Sequence, residues 1–470
     1  MCDCQQNSPR QAEPVAGRVE TQLTAVDCSL PEVKAELRQL SQLLLSSRAL
    51  WSVRSFEHRK LPWQQRFAKL AAALWAIDDD ALETVDASQS LLLARLWPAL
   101  AADLSEQELA LWDKRHFAWH LFDYPAPELD NGQPKLCAST EARLSAGIKG
   151  RKWQQISRFA NTIATHNNPF PLLEWCAGKG HLGRLLSALS GKAVLSLEWQ
   201  ASLCEAGELA AKKRNLPQQF VCADAFVAEP CYLKPKQHAI ALHACGELHL
   251  TLLRRAVASG TAVVSVSPCC YHLLPSGDIT PLSQGAQEQA LRLDKTALQL
   301  PLNHSVIANQ KARADRIKEV SWRLGFDSLQ RELRAQDTYL PLPAVRQSQL
   351  SGSFKDFCLW AAAQKGVLLP EAVDFAAYQR LGEQRRRLTA RIDLAAHLFR
   401  PVIERYLLLD RVCFLLEADY RVQLGAFCEQ ATTPRNALIH AWLPGSNETT
   451  RPAWTEMPLK RGISRRQVPA

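Results

Sequence analysis

The chain has 470 residues, 47% hydrophobic and 22% charged, with 56 Lys and Arg against 47 Asp and Glu. That composition excludes a disordered, fibrous or collagen-like chain and describes a globular protein of roughly two to three domains, or one domain with large additions. The modest positive excess admits an anionic partner such as RNA without requiring one. The 14 cysteines, with no secretory signal at the N-terminus, read as reduced cytoplasmic thiols and not as a disulfide framework.

Residues 1–27 are polar and read as a disordered tail. Cys2 and Cys4 lie in it without a matching His or Cys pair nearby, so no metal site is expected there. Ser29, Pro31 and Glu32 predict a helix start, with Ser29 capping, Pro31 in the first turn and Glu32 closing a capping box. Val33, Leu37, Leu40 and Leu44 follow at helical spacing, and similar patterns predict a helical domain over 28–130. Its stretches Arg48–Lys69 and Leu111–Phe122 interleave Arg and Lys with aromatics such as Trp51, Phe56, Trp63 and Phe67, and Gly147–Trp153 adds further charge. Such stretches can neutralise phosphates and stack on bases. They also describe an amphipathic helical domain with its aromatics turned inward. The most apolar segment, Phe67–Ile77, is too short to span a bilayer, and no membrane partner is expected.

From Pro171 the pattern changes. Apolar runs of strand length (PLLEW, AVLSLEW, QQFVCAD, HAIALHACG and TAVVSVSPCC) alternate with helical segments, the signature of a parallel sheet covered on both faces. A core is expected over 140–280 and a mainly helical insertion over 281–415. Within the insertion the basic run Glu383–Arg391 reads as a solvated helix face. An antiparallel hairpin over 416–445 and a flexible basic tail over 446–470 complete the chain.

The loop of Leu172–Leu186, LLEWCAGKGHLGRLL, ends a strand in Glu174, turns on Gly178 and Gly180, and enters a helix. Glycines there let the backbone approach a ligand at the carboxyl end of a strand. Glu198 ends the next strand, 24 residues after Glu174, and can accept bonds from ribose hydroxyls. Asp224 ends the third and can address an adenine amine. Three acids suit an adenosyl ligand without phosphates better than a pyrophosphate. S-adenosylmethionine fits best, with Glu174 near its ammonium or sulfonium end. The bland alternative is a tight turn that binds nothing.

The succession E-x-C-A-G-K-G-H-L-G, the second acid, A-D-A-F, L-H-A-C-G-E-L (Leu242–Leu248) and S-P-C-C-Y-H (Ser267–His272) resembles the class I S-adenosylmethionine-dependent methyltransferases. Within them it is similar to the branch that includes methyltransferase-like protein 25 and the methyltransferase part of glutathione S-transferase C-terminal-domain-containing protein. The resemblance implies a Rossmann-like seven-stranded α/β sheet with a terminal antiparallel hairpin, here joined to an N-terminal helical domain and a helical insertion. It also implies S-adenosylmethionine as cofactor, held by Glu174, Cys176, Gly178, Gly180, Glu198, Asp224 and His243. Cys176 stands where the motif has its first glycine, which fits if its φ is negative.

In that fold the fourth and fifth strands end beside the transferable methyl, which would gather His243, Cys245, Glu247, Cys269, Cys270, Tyr271 and His272. In one reading His243, Glu247 or His272 takes a proton from a nucleophilic N or O while Tyr271 lines the substrate pocket. In a second, Cys269 attacks a pyrimidine ring. In a third, His243, Cys245, Cys269 or Cys270, and His272 bind zinc. Adjacent cysteines and a non-standard spacing count against that third reading, and no metal is expected. Each cysteine can equally be strand-end packing. The expected function is methyl transfer to RNA, tRNA or rRNA, with a protein substrate as an option. The alternative is a binding module that keeps the fold without turnover.

Overall fold

The computed structural model describes residues 26–118, 136–164, 168–227, 231–274, 280–302, 310–430 and 432–445. The expected terminal tails, apart from 26–27, lie outside these residues, as does the end of the second basic-aromatic stretch.

Eight strands form one sheet: β1 (Val26–Cys28), β2 (Leu172–Trp175), β3 (Val194–Glu198), β4 (Gln218–Cys222), β5 (His238–Cys245), β6 (Val263–Cys269), β7 (Arg421–Ala426) and β8 (Ala437–Trp442). Their order is β1-β7-β8-β6-β5-β2-β3-β4. The five strands β4-β3-β2-β5-β6 run parallel, and β8, β7 and β1 are added antiparallel. The expected seven strands and terminal hairpin are all present. Short β1 adds an eighth at the edge, drawn from the boundary of the segment read as a tail. The central parallel strands β2, β3, β5 and β6 are apolar along most of their length, since both faces are covered, while β4 at the sheet edge is partly exposed.

The longer helices are α1 (Leu30–Ser46), α2 (Gln89–Asp103), α3 (Gly150–Ala164), α4 (His181–Ser190), α5 (Ala201–Lys212), α6 (Glu247–Ala258), α7 (Gln310–Leu333), α8 (Phe354–Lys365), α9 (Phe375–His397) and α10 (Arg400–Glu417). Pro31 lies in the first turn of α1 as expected, but the capping box does not form. Ser29 donates its hydroxyl to the Glu32 carboxylate instead of accepting from the helix backbone. On one sheet face, Ile156 and Phe159 of α3 and Leu182, Leu185 and Leu186 of α4 pack with Leu172, Ile240 and Phe427. On the other, α6 and α10 share a continuous core with the helices of the N-terminal region.

The helical insertion is therefore not a separate lobe. Arg385 of α9 donates to the Phe56 carbonyl and to Asp327 of α7, and Arg391 to the carbonyls of Leu74 and Ile77 and to Asp79. The run Glu383–Arg391, expected to be a solvated face, thus buries two of its arginines. A guanidinium's planar donors satisfy several carbonyls and one carboxylate at once, which makes its burial tolerable. The basic-aromatic stretches resolve the same way. Trp51, Trp63, Phe67, Trp112 and Phe117 are core residues, so they offer no stacking platform on the surface.

Candidate active site

The strand order reverses between β2 and β5, and the crevice at such a switch point is where open α/β sheets bind ligands. The glycine loop leaves β2 there. Gly178 has φ +57°, and a Cβ built on it would meet nothing within 4 Å, so its α-carbon faces open space. Its amide donates to Glu198 Oε2 at 2.9 Å, and Gln200 N donates to Oε1 at 3.1 Å. Glu198 and Cys222 are paired across β3 and β4, which sets Asp224 two residues beyond on the neighbouring strand end. Asp224 is exposed and accepts from Phe226 N at 2.8 Å. The Cys176 thiol, pushed up to about 12 chiefly by burial, also feels the charges of Glu198, Cys245 and Asp224. The loop, both strand-end acids and the end of β5 thus lie together around Cys176.

Two expected roles are corrected. Glu174 does not reach the open space beside Gly178. It is 3% exposed, and its Oε2 accepts from Ser196 Oγ at 2.7 Å and from Gln218 Nε2 at 3.4 Å. The Gly183 amide in the first turn of α4 also bonds it, and burial pushes its carboxyl up to about 7. A Cβ at Gly183 would sit 2.4 Å from that oxygen. Glu174 therefore holds the start of α4 from the interior and supports the loop from behind. Gly180 likewise faces inward: with φ +62°, its added Cβ would strike Phe220 at 2.4 Å and Gln218 at 2.5 Å.

Cys176 also departs from expectation, since its φ is +58°. A non-glycine residue in this region costs about 1–2 kcal/mol. Of the six described non-glycine residues with positive φ, three border this site: Cys176, His243 (+67°) and Cys270 (+48°). Strain gathered in this way is typical of functional sites.

At the end of β5 the pairing with β6 slips. Leu242 opposes Ser267 while Cys245 opposes Cys269, which leaves one extra residue on β5 and forms a bulge at His243. The bulge aims His243 Nε2 at Gln155 Oε1 of α3, 3.0 Å away. A carbonyl oxygen accepts, so Nε2 carries the proton and Nδ1 is the basic nitrogen. Burial lowers the His243 pKa, and the charges of Arg435 and Lys152 lower it further. The ring is neutral at pH 7.

The other expected catalytic groups separate. Cys245 Sγ and Cys269 Sγ are 3.4 Å apart, and Cys270 Sγ completes a group within 4.8 Å. Cys269 is held protonated by its two thiol neighbours and by burial, which opposes its use as a ring-attacking thiolate. Cys270 is shifted the other way, by bonds from Cys245 and Cys269 and by the nearby Arg435 and His272. His272 is half-buried, with Nδ1 enclosed and unpartnered. Glu247 turns to an ion pair with Arg254 on its own helix. Tyr271 is 1% exposed and donates to Glu404 Oε1 of α10 at 3.2 Å, so it is core and lines no open pocket. Burial pushes Glu404 up to about 8.

Two surface aromatics escaped the sequence reading. Trp199 directly follows Glu198 and is 70% exposed, while Phe226 lies two residues after Asp224 and is 50% exposed. An aromatic directly after a strand-end acid was the available signal.

Residues 151–277 match a family described as a methyltransferase domain. The five parallel strands and the glycine loop lie within that match. The methyl donor of this fold is S-adenosylmethionine, and the residues present fit it: the Glu198 carboxylate lies beside Gly178, which faces open space, and the exposed Trp199 and Phe226 follow the two strand-end acids, aromatic faces of the kind that suit an adenine. Solved structures with some likeness include the Pyrococcus abyssi tRNA (uracil-54, C5)-methyltransferase in complex with S-adenosyl-L-homocysteine, at 18% identity, 24% of this chain, 28% of that chain and TM-score 0.21. Coclaurine N-methyltransferase bound to N-methylheliamine gives 13%, 71%, 95% and 0.26. An O-methyltransferase family 2 protein from Planctomyces limnophilus gives 12%, 63%, 91% and 0.25. The chain spans 28% and 54% of the first two structures of this set that it matches. Among the described residues no helix is long and apolar enough to cross a membrane.

Proposed function

We propose that this protein transfers the methyl group of S-adenosylmethionine to a nucleophilic nitrogen or oxygen of RNA, with tRNA and rRNA the first substrates to try. The observation that carries the reading is His243, a neutral imidazole at a strained bulge with cations on both sides. Lys152 approaches from α3 and Arg435 from the loop before β8, and both bear on its charge. Lys149, Arg151 and Lys179 are exposed around them. Such a rim suits a polyanionic substrate.

The cofactor supplies an electrophilic methyl. Glu198 and Gly178 fix its berth, Glu174 keeps the loop in place, and His243 Nδ1 accepts the proton released by the nucleophile. Alignment contributes most, up to roughly 7–11 kcal/mol in favourable cases, and a base adds about 10²–10⁴-fold. The buried aromatics of the N-terminal region give no support to base stacking, so the reading rests on the rim.

The test is incubation of the full chain with methyl-labelled S-adenosylmethionine and total RNA, followed by nucleoside analysis of tRNA and rRNA fractions and by counting of a protein fraction. Label in an RNA nucleoside, absent with His243→Ala, supports the reading. Label in protein only moves the substrate. RNA and cofactor both bound without any label favours the non-catalytic binding module.

A further inference from the structure

We propose that Cys245, Cys269 and Cys270 form a thiolate site for a zinc ion; His272 lies outside their 4.8 Å group and is the candidate to turn in as fourth ligand. The inference rests on strand-end geometry and is independent of the methyl-transfer reading.

In a regular strand neighbouring side chains point to opposite faces, so Cys269 and Cys270 should diverge. Spacing alone argues against their sharing an ion for that reason. The backbone removes the objection. Cys270 directly follows β6 with φ +48°, a departure from strand geometry that lets its sulfur lie on the same side as that of Cys269. On β5 the extra residue at His243, with φ +67°, resets the alternation so that Cys245 opposes Cys269. Two separate irregularities, on two strands, thus converge on one result: three sulfurs within 4.8 Å of one another.

Zn–S bonds of about 2.3 Å in a tetrahedron place sulfurs about 3.8 Å apart. The observed 3.4 Å between Cys245 and Cys269 is a small adjustment away. A plain packing role would need neither left-handed residue. Two residues beyond Cys270, the enclosed Nδ1 of His272 lacks a hydrogen-bond partner, and buried nitrogens of that kind call for an explanation. Sulfur and imidazole together select zinc over oxygen-seeking cations. Metal binding displaces the thiol protons to solvent and involves no change of oxidation state.

The experiment uses the full chain, purified with reductant and without chelator. Metal analysis should find a single zinc per chain. Cobalt added to the metal-free protein should give the sulfur-to-cobalt charge-transfer and intense visible bands of a tetrahedral thiolate site. Cys245→Ser and Cys270→Ser should each lower affinity by at least about tenfold. Cys231→Ser, at the surface, should leave it unchanged. His272→Ala should keep the charge-transfer band but weaken binding, and unaltered affinity removes His272 from the set.

Should the serine variants fail to fold by circular dichroism, wild-type protein still decides. Zinc should then protect the half-buried Cys245 and Cys270 from alkylation while the exposed Cys137 and Cys231 react. Alkylation indifferent to zinc, absence of cobalt bands, or a Cys245–Cys269 disulfide persisting under reductant would each overturn the proposal. Calorimetry with S-adenosylmethionine on the same samples reports the methyl-donor site separately.

Discussion

Glu174→Gln isolates the cost of a carboxylate buried behind the glycine loop. Burial raises the folded-state pKa of Glu174 from the ordinary 4.5 to about 7. A raised carboxyl pKa means the folded state binds the proton more tightly than the unfolded chain. The resulting stabilisation is full below pH 4.5 and is lost as pH rises through 7. A displacement of that size amounts to about 3 kcal/mol at about 1.4 kcal/mol per unit. Glutamine is neutral throughout. Its oxygen can still accept from Ser196 Oγ, and its amide can donate to Gln218 Oε1, which is buried without a partner. The variant should therefore gain stability over wild type by about 3 kcal/mol between pH 4.5 and pH 8. Urea titrations of both proteins by circular dichroism across that range measure the gap. Contributions common to both, such as Glu404, cancel in the difference. A gap that stays constant with pH refutes the assignment of a buried, proton-binding carboxyl.

The two loop glycines should behave differently. Gly178→Ala, at about 1–2 kcal/mol of strain from its positive φ, should fold but lose S-adenosylmethionine affinity by calorimetry, because its side chain enters the open space, whereas Gly180→Ala should lose more stability, since its side chain also meets Phe220 and Gln218. Glu198→Ala should weaken cofactor binding by roughly 1–3 kcal/mol in the same assay, since a charged acceptor and its hold on the Gly178 amide are both lost. Tyr271→Phe should cost about 1–3 kcal/mol of stability by leaving Glu404 without its donor, with turnover unchanged in a labelled-methyl assay. Lys152→Glu should raise KM for RNA and flatten its salt dependence, while His243→Ala should lower kcat with cofactor affinity retained.

The central sheet is legible because β2, β3, β5 and β6 are buried on both faces and so read as apolar runs between helices, whereas short β1 carries no such run. Glu198 ends β3 and Asp224 follows β4, where the apolar runs before them place strand ends. Glu174 was misplaced because motif order gives no direction for a side chain. Its inward turn depends on Gly183, Ser196 and Gln218, which are far apart in sequence. The cysteine cluster was judged by spacing, and spacing assumes regular backbone. The left-handed turn at Cys270 and the bulge at His243 carry no signature in residue type. The burial of Arg385 and Arg391 was hidden likewise, since a basic run looks alike whether its partners are water or carbonyls from another part of the chain. The inward aromatics of Arg48–Lys69 were one of two readings left open, and packing chose between them.

The sheet is assembled from distant parts of the chain: β8 covers one side of β6, yet some 170 residues of helix and loop separate the two strands. A fragment cut after the matched region would leave all of β6, buried along its whole length, as a bare hydrogen-bonding margin. Such margins recruit other chains. Anyone trimming this protein to its catalytic unit for expression should expect insoluble material unless the closing hairpin is kept, and a nascent chain on the ribosome faces the same exposure until its last strands emerge.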